Sequence, residues 1–184
     1  MHAPIPEHHP LRRLFAGLVE NAFYAEVGMC DPPVAEYLVD LLTEFIHVDR
    51  VRLLKNAGGR RLEEVAEMLT DASLGADVIG PKRDRIVHKH IGDYTLYWSG
   101  VYPENLKHLK RPDKTDHFVD YLKQGKRSYA IASELSVEQA DPPATVLRRL
   151  SDNFEFCVYG LGLVRKSWEQ LNPDVFTDPN MLPD

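Results

Sequence analysis

Apolar residues recur at helical spacing in the segment after Asp31, and this spacing constrains the fold more than any other feature. Five of them lie within about 40° of one line when each residue turns 100° about a helix axis, namely Val34, Leu38, Leu41, Phe45 and Val48. Asp31 and the two prolines after it can supply an N-cap and a first turn. We therefore predict a helix from this Asp-Pro-Pro sequence to about Asn56, where Gly58 and Gly59 can end it.

Similar stripes predict helices along most of the chain. The helix that starts at Pro81 is expected to break near Gly100 and Pro103, because glycine and proline disturb helices. Gly125 and Ala132 fall on the inward line of a later helix and would let a neighbouring helix approach closely. Other helices are predicted at about 9–26, 61–72 and 116–135. A short helix that contains Leu106 and Leu109 is expected to end before Pro112, and a last helix follows Asp141-Pro142-Pro143, with an apolar stripe from Val146 to Leu171.

Strand patterns are missing from this sequence, since no long segment alternates apolar and polar residues. Five to six amphipathic helices joined by mainly short connections are typical of an all-α helical bundle. We predict a single bundle domain at residues 9–171, with a flexible N-terminus at 1–8 and a flexible, acidic and proline-containing tail at 172–184.

Composition narrows the class of protein further. A chain of 184 residues with 43% hydrophobic and 27% charged residues can bury a core of its own. The two cysteines, Cys30 and Cys157, form no metal-binding or disulfide pattern. There is no apolar run of signal-peptide type and none of membrane-spanning length. We predict a cytoplasmic protein without a membrane segment.

Charge is unevenly distributed along the chain. The net charge is −6, yet residues 82–127 contain 11 Lys and Arg against 6 Asp and Glu. An acidic protein is a poor nonspecific binder of nucleic acid, but the middle segment could form a local basic face. Binding of nucleic acid or another anion through residues 82–127 stays open as one alternative function.

A second alternative is an enzyme with a metal or small-ligand pocket. Glu44 and His47 form a Glu-x-x-His sequence, which di-metal helical bundles use to place two ligands on one helix face. Asp40 lies one turn earlier on the same helix. However, Glu44 and His47 lie about 80° and 140° from the centre of the apolar face, so the spacing places them outside the core. His90 is a further candidate ligand, and the metal would be Fe, Mn or Zn.

Aromatic residues cluster in the second half of the helix after Pro81. His90 lies about 60° from its apolar line, where it could form a ligand pocket with Tyr97 and Trp98. Tyr94 and Tyr102 complete the cluster. Aromatic residues at helical spacing usually belong to the core, and among the four aromatic residues we expect Tyr97 to be the one that is partly exposed.

Recognisable catalytic signatures are absent from the sequence, including the glycine-rich phosphate loop, Gly-x-Ser-x-Gly and His-Glu-x-x-His. The leading hypothesis is therefore a non-enzymatic protein-interaction or adaptor module, without a cofactor, that binds a protein partner or associates with itself. Cations at the start of a helix are unfavourable with respect to the helix dipole, which suggests a binding patch there. The predicted partner surface consists of Lys82, Arg83, Arg85, Tyr97 and Tyr102.

Overall fold

The computed structural model describes residues 9–46, 64–71, 80–114, 116, 119–135 and 137–171. Every element of regular secondary structure in these residues is a helix, so the predicted all-α, single-domain class is confirmed. The predicted flexible segments, 1–8 and 172–184, lie outside the described residues.

Eight helices form the described part of the fold. A π-helical segment (Asn21–Val27) continues the first helix, and Gly28 ends it with a left-handed φ of 77°. A 3₁₀ turn (Pro103–Asn105) precedes the fifth helix. In chain order the helices are α1 (Pro10–Glu20), α2 (Pro32–Phe45), α3 (65–71), α4 (Pro81–Gly100), α5 (Leu106–Leu109), α6 (Tyr121–Glu134), α7 (Ala144–Asp152) and α8 (Phe154–Leu171).

Helix α2 begins as its sequence predicts. The Asp31 carboxylate accepts a hydrogen bond from the backbone N–H of Val34, at 3.3 Å, and so caps the helix. The predicted apolar face is buried, with Val34 and Leu38 fully inaccessible to solvent. The helix ends at Phe45, and its predicted continuation to Asn56 falls in residues 47–63, outside the described part.

Helix α4 lies at the centre of the fold. All eight residues from His90 to Tyr97 are buried, so neighbouring elements enclose this part of the helix on every side. The helix ends at Gly100, which confirms the predicted break before Pro103. This central helix carries the buried polar residues Asp93 and Thr95. Their side chains therefore need hydrogen-bond partners within the core.

Helices α6 and α8 pack against α4 through close contacts. Tyr129 of α6 packs on Gly92 of α4, and Gly125 faces Thr95, so α4 and α6 are antiparallel. Gly100 of α4 packs against Leu161 of α8. The predicted close approach at Gly125 is therefore confirmed.

Helix α1 packs against the C-terminal part of α8. The rings of Phe15 and Trp168 pack edge to face with their centroids 4.9 Å apart. Aromatic packing thus joins α1 to α8. In the described residues, no helix combines the length and the apolar character that crossing a bilayer requires.

Two predicted helix boundaries were wrong. The helix predicted at 116–135 begins at Tyr121, because Asp120 is its N-cap and accepts from the Lys123 N–H at 3.1 Å. The last helix, predicted to be continuous from the Asp141-Pro142-Pro143 start signal to Leu171, is divided at Asn153 into α7 and α8. The Asn153 side chain donates to the carbonyl of Arg149 at 3.0 Å, and asparagine side chains that bond to the backbone in this way compete with helical hydrogen bonds.

Candidate functional site

Arg85 occupies an unusual position near the start of α4. Only 5% of its surface is exposed, although arginine is rarely buried unless it is paired. One terminal nitrogen donates to the carbonyl of Pro142 at 2.6 Å. The Nε–H is buried and has no hydrogen-bond partner. Arg85 forms no ion pair with any residue in the described part of the chain, so its positive charge lacks a counter-charge there.

Arg85 lines a pocket of about 400 Å³, which we call the Arg85 pocket. The pocket lies where the end of α6, the connection to α7 and the start of α7 approach α4. Its surface is mainly apolar, and its residues are Arg85, Ser133, Leu135, Val137, Glu138, Ala140 and Ala144. A mainly apolar pocket with a few polar groups is the usual form of a small-molecule site.

Two features modify the electrostatics of the Arg85 pocket. The N-terminus of α7 begins at Ala144, and a helix N-terminus carries a partial positive charge. Glu138 is the one carboxylate among the pocket residues, and it is exposed. In this pocket the positive charge of Arg85 is therefore buried, whereas the negative charge of Glu138 is exposed to solvent.

A second group of polar residues lies within the core, and we call it the Asp93 cluster. Asp93 is 3% exposed, and its carboxylate accepts hydrogen bonds from the hydroxyls of Tyr37 and Tyr129, the latter at 2.7 Å. Its other oxygen accepts from the Lys89 ammonium at 2.8 Å. The cluster consists of Tyr37, Lys89, Asp93 and Tyr129, and it joins α2, α4 and α6.

The environment fixes the protonation states of three groups in the Asp93 cluster. Burial raises the pKa of Tyr37, and the charge of Asp93 raises it further. The same two causes raise the pKa of Tyr129. Burial opposes the charge of Lys89, but Asp93 and Tyr37 outweigh it and the pKa of Lys89 is raised. At neutral pH the ammonium is thus a hydrogen-bond donor, and it is not available as a nucleophile.

A polar cleft of about 240 Å³ opens beside the Asp93 cluster. The cleft and the Arg85 pocket are lined by consecutive residues of one segment, since Ala140 lines the pocket while Asp141 and Pro142 line the cleft. The cleft residues are Tyr37, Asp40, Leu41, Glu44, Lys89, Asp93, Asp141 and Pro142.

The structure does not bring the three predicted cations into one exposed patch. Lys82 is exposed, whereas Arg83 pairs with Asp71 at 2.6 Å. Arg85 is buried and faces the pocket described above. Their predicted role in binding a partner remains a prediction, and only Lys82 offers a fully exposed side chain for it.

Tyr97 is 3% exposed, so the expectation that it is the partly exposed member of the aromatic cluster was wrong. The ring of Phe45 packs against it from α2, with the centroids 5.2 Å apart. Tyr102 is half-buried, and the Arg165 guanidinium lies 4.9 Å from the centre of its ring. Tyr97 therefore packs in the core, and of the two tyrosines only Tyr102 reaches the surface.

The candidate metal ligands are dispersed. Asp40 and Glu44 line the polar cleft, and Asp40 pairs with Arg12 at 2.9 Å. His90 is 3% exposed and lies in the core near Phe45. His47 is outside the described residues, so the Glu-x-x-His hypothesis remains a prediction. Within the part of the chain that the structure describes, no three His, Cys, Asp or Glu side chains are grouped so that they could hold a metal ion.

Sequence reasoning missed the Asp93 cluster. The one local signal was the spacing of Lys89 and Asp93, four residues apart, which lets oppositely charged side chains meet on a helix. The tyrosine partners, Tyr37 and Tyr129, are 56 and 36 residues away from Asp93 in the chain. No periodicity within one helix could connect them.

Comparisons of the chain with models of protein families, with curated proteins and with solved structures found no match.

Proposed function

We propose that this protein binds a small organic anion, a monocarboxylate with an apolar chain, in the Arg85 pocket. The observation that carries the proposal is the buried guanidinium, which has an unpartnered Nε–H and no counter-charge in the described residues. An isolated buried charge is costly, and a bound anion would compensate it. Arginine also matches the planar geometry of a carboxylate better than any other side chain.

The rest of the pocket supports this ligand chemistry. Apolar side chains, including those of Leu135 and Val137, would bury a hydrocarbon chain. The N-terminus of α7 adds a favourable interaction with an anionic head group. The exposed Glu138 disfavours ligands of high negative charge, so the pocket fits a monocarboxylate better than a phosphate ester.

Binding would be tested by isothermal titration calorimetry with linear carboxylates from acetate to dodecanoate. We expect the affinity to rise with chain length until the pocket is filled, because each buried methylene contributes about 0.8 kcal/mol. Octanol has a similar chain and no charge, so its affinity should be lower than that of octanoate by about tenfold or more. If none of the carboxylates binds, or if octanol binds as tightly as octanoate, the proposal is wrong.

The variant Arg85→Met tests the role of the guanidinium. We expect it to weaken octanoate binding by about tenfold or more, while Lys82→Met, which removes an exposed cation from the same helix turn, leaves the affinity unchanged. The free energy of unfolding without ligand should change by less than about 1 kcal/mol, since loss of the bond to Pro142 is offset by removal of a buried charge. A loss of several kcal/mol together with unchanged binding would show that Arg85 only anchors the segment around Pro142.

A further inference from the structure

Helix α8 presents an apolar face to solvent. Phe156 and Tyr159 are 60% and 61% exposed, although both are large aromatic side chains. Leu163, which follows Tyr159 by four residues, is half-buried. Spacings of three and four residues place these three side chains on one side of the helix, opposite the buried line that contains Leu161. We call this surface the α8 face.

Two opposite charges lie along one flank of the α8 face. Glu155 and Lys166 are separated by eleven residues, so they point within about 20° of each other around the helix. Both are exposed. Glu155 accepts from Lys126 at 3.0 Å, whereas Lys166 forms no ion pair in the described part of the chain.

The α8 face is complementary to the same face of a second copy when the two α8 helices are antiparallel. In an antiparallel pair related by a twofold axis, Phe156 of each copy would oppose Leu163 of the other, and Glu155 would oppose Lys166. Both pairs are centred between residues 159 and 161, so one axis satisfies both. The same flank of each helix meets in such a pair, which is the geometry that an isologous dimer requires.

From this complementarity we propose that the α8 face is a self-association surface, on which a second copy of the chain packs antiparallel through α8. In a parallel pair related by a twofold axis opposite flanks of the two helices meet, so Glu155 and Lys166 of different copies would lie on opposite sides of the interface and could not pair. The four exposed aromatic rings contribute roughly 500 Å² of apolar area, which is less than a standard interface buries. We therefore expect a weak dimer that dissociates when the protein is diluted.

Sedimentation velocity from about 1 to 300 µM, the range in which interfaces of this size associate, would measure self-association directly. We expect the wild-type chain to change from monomer to dimer within this range. The double variant Phe156→Ser and Tyr159→Ser should raise the dissociation constant by about tenfold or more. Ile86→Ser is the matched control, because Ile86 is an exposed apolar residue on a different helix, and it should leave the dissociation constant unchanged.

Charge reversal tests the antiparallel arrangement. Glu155→Lys alone and Lys166→Glu alone should each weaken the dimer by roughly three- to tenfold, because each reversal creates two like-charge contacts per dimer. The chain that carries both reversals should regain most of the lost affinity, since every copy then supplies the complementary charge again. Circular dichroism would verify that each variant keeps its helical content.

Three outcomes would overturn the inference. A wild-type chain that stays monomeric to about 300 µM would show that no second copy occupies the α8 face. A dimer that survives the loss of both aromatic rings would place the interface elsewhere. Failure of the double charge reversal to restore affinity would rule out the antiparallel pairing.

Discussion

Asp93 shows how a single buried charge can be compensated by residues from three helices. Its carboxylate accepts from Lys89 on its own helix, from Tyr37 on α2 and from Tyr129 on α6. Each bond replaces hydration that the carboxylate lost on burial. Lys89 depends on Asp93 in the same way, because its raised pKa requires the neighbouring negative charge. The members of the Asp93 cluster are therefore coupled, and removal of one changes the cost of burying the others.

We predict that Asp93→Asn destabilises the fold by about 2–4 kcal/mol, because it leaves the partly buried Lys89 ammonium without a counter-charge and weakens the acceptor for two tyrosine hydroxyls. Tyr37→Phe removes one hydrogen bond and should cost about 1–2 kcal/mol. Urea denaturation would measure both free energies of unfolding. Tyr24→Phe is the control, since Tyr24 is a half-buried residue whose hydroxyl has no hydrogen bond in the described structure. If Tyr37→Phe costs no more than Tyr24→Phe, the cluster does not stabilise the fold as proposed.

At the scale of the elements, small residues set how closely the helices pack. Gly125 of α6 faces the junction of α4 and α8, and a Cβ added there would lie 2.3 Å from both the Phe154 ring and the Thr95 hydroxyl. Real Cβ atoms do not approach other atoms so closely, and the fully buried Phe154 cannot easily move aside. The glycine at this position is therefore required by the contact between helices.

Gly125→Ala should destabilise the protein by at least about 1–3 kcal/mol, because the added methyl group overpacks the contact between α6, α4 and α8. Gly17→Ala serves as the control in α1, where an added Cβ would meet nothing within 4 Å. This second change should stabilise the protein by about 0.5–1 kcal/mol, as alanine restricts the unfolded chain and favours the helix. Thermal unfolding should show melting temperatures that move in opposite directions. Equal shifts in the same direction would contradict the role assigned to Gly125.

At the scale of the whole molecule, Asp116 joins parts of the chain that are far apart in sequence. Its fully buried carboxylate accepts from the backbone N–H groups of Val65 and Ala66, at 2.9 and 2.8 Å. It also accepts from the hydroxyl of Tyr121 at 2.5 Å. Asp116 thus caps the start of α3 from about fifty residues away and fixes that helix against the beginning of α6.

Asp116→Ala should destabilise the protein by about 2–4 kcal/mol, because two buried donors and one part-buried donor lose a charged acceptor. Hydrogen exchange followed by mass spectrometry should show faster exchange in α3 as well as at the start of α6. Asp120→Ala removes an exposed cap of α6, and it should cost about 1 kcal/mol and affect that helix alone. Unchanged exchange in α3 after loss of Asp116 would contradict its long-range role.

Local sequence patterns were sufficient for the elements and for much of the core. The prediction that Val34, Leu38, Leu41 and Phe45 share a buried face of α2 is confirmed, as is the capped start of the helix at Asp31. Helical hydrogen bonds and capping bonds join residues three or four positions apart, so these features are encoded within a few turns. The buried position of Cys157 on α8 could be predicted for the same reason.

Which polar residues are enclosed could be decided only by the tertiary structure. Arg85 was predicted as a surface residue, yet the segment around Pro142, 57 residues away, packs over it. Tyr97 was expected to be exposed, but Phe45 of α2 covers its ring. The periodicity of one helix shows which side is apolar, but burial of a polar side chain depends on a cover and on hydrogen-bond partners from elsewhere in the chain. By itself, then, the sequence determined the helices and their apolar faces, while the packing of distant segments created the Arg85 pocket and the Asp93 cluster.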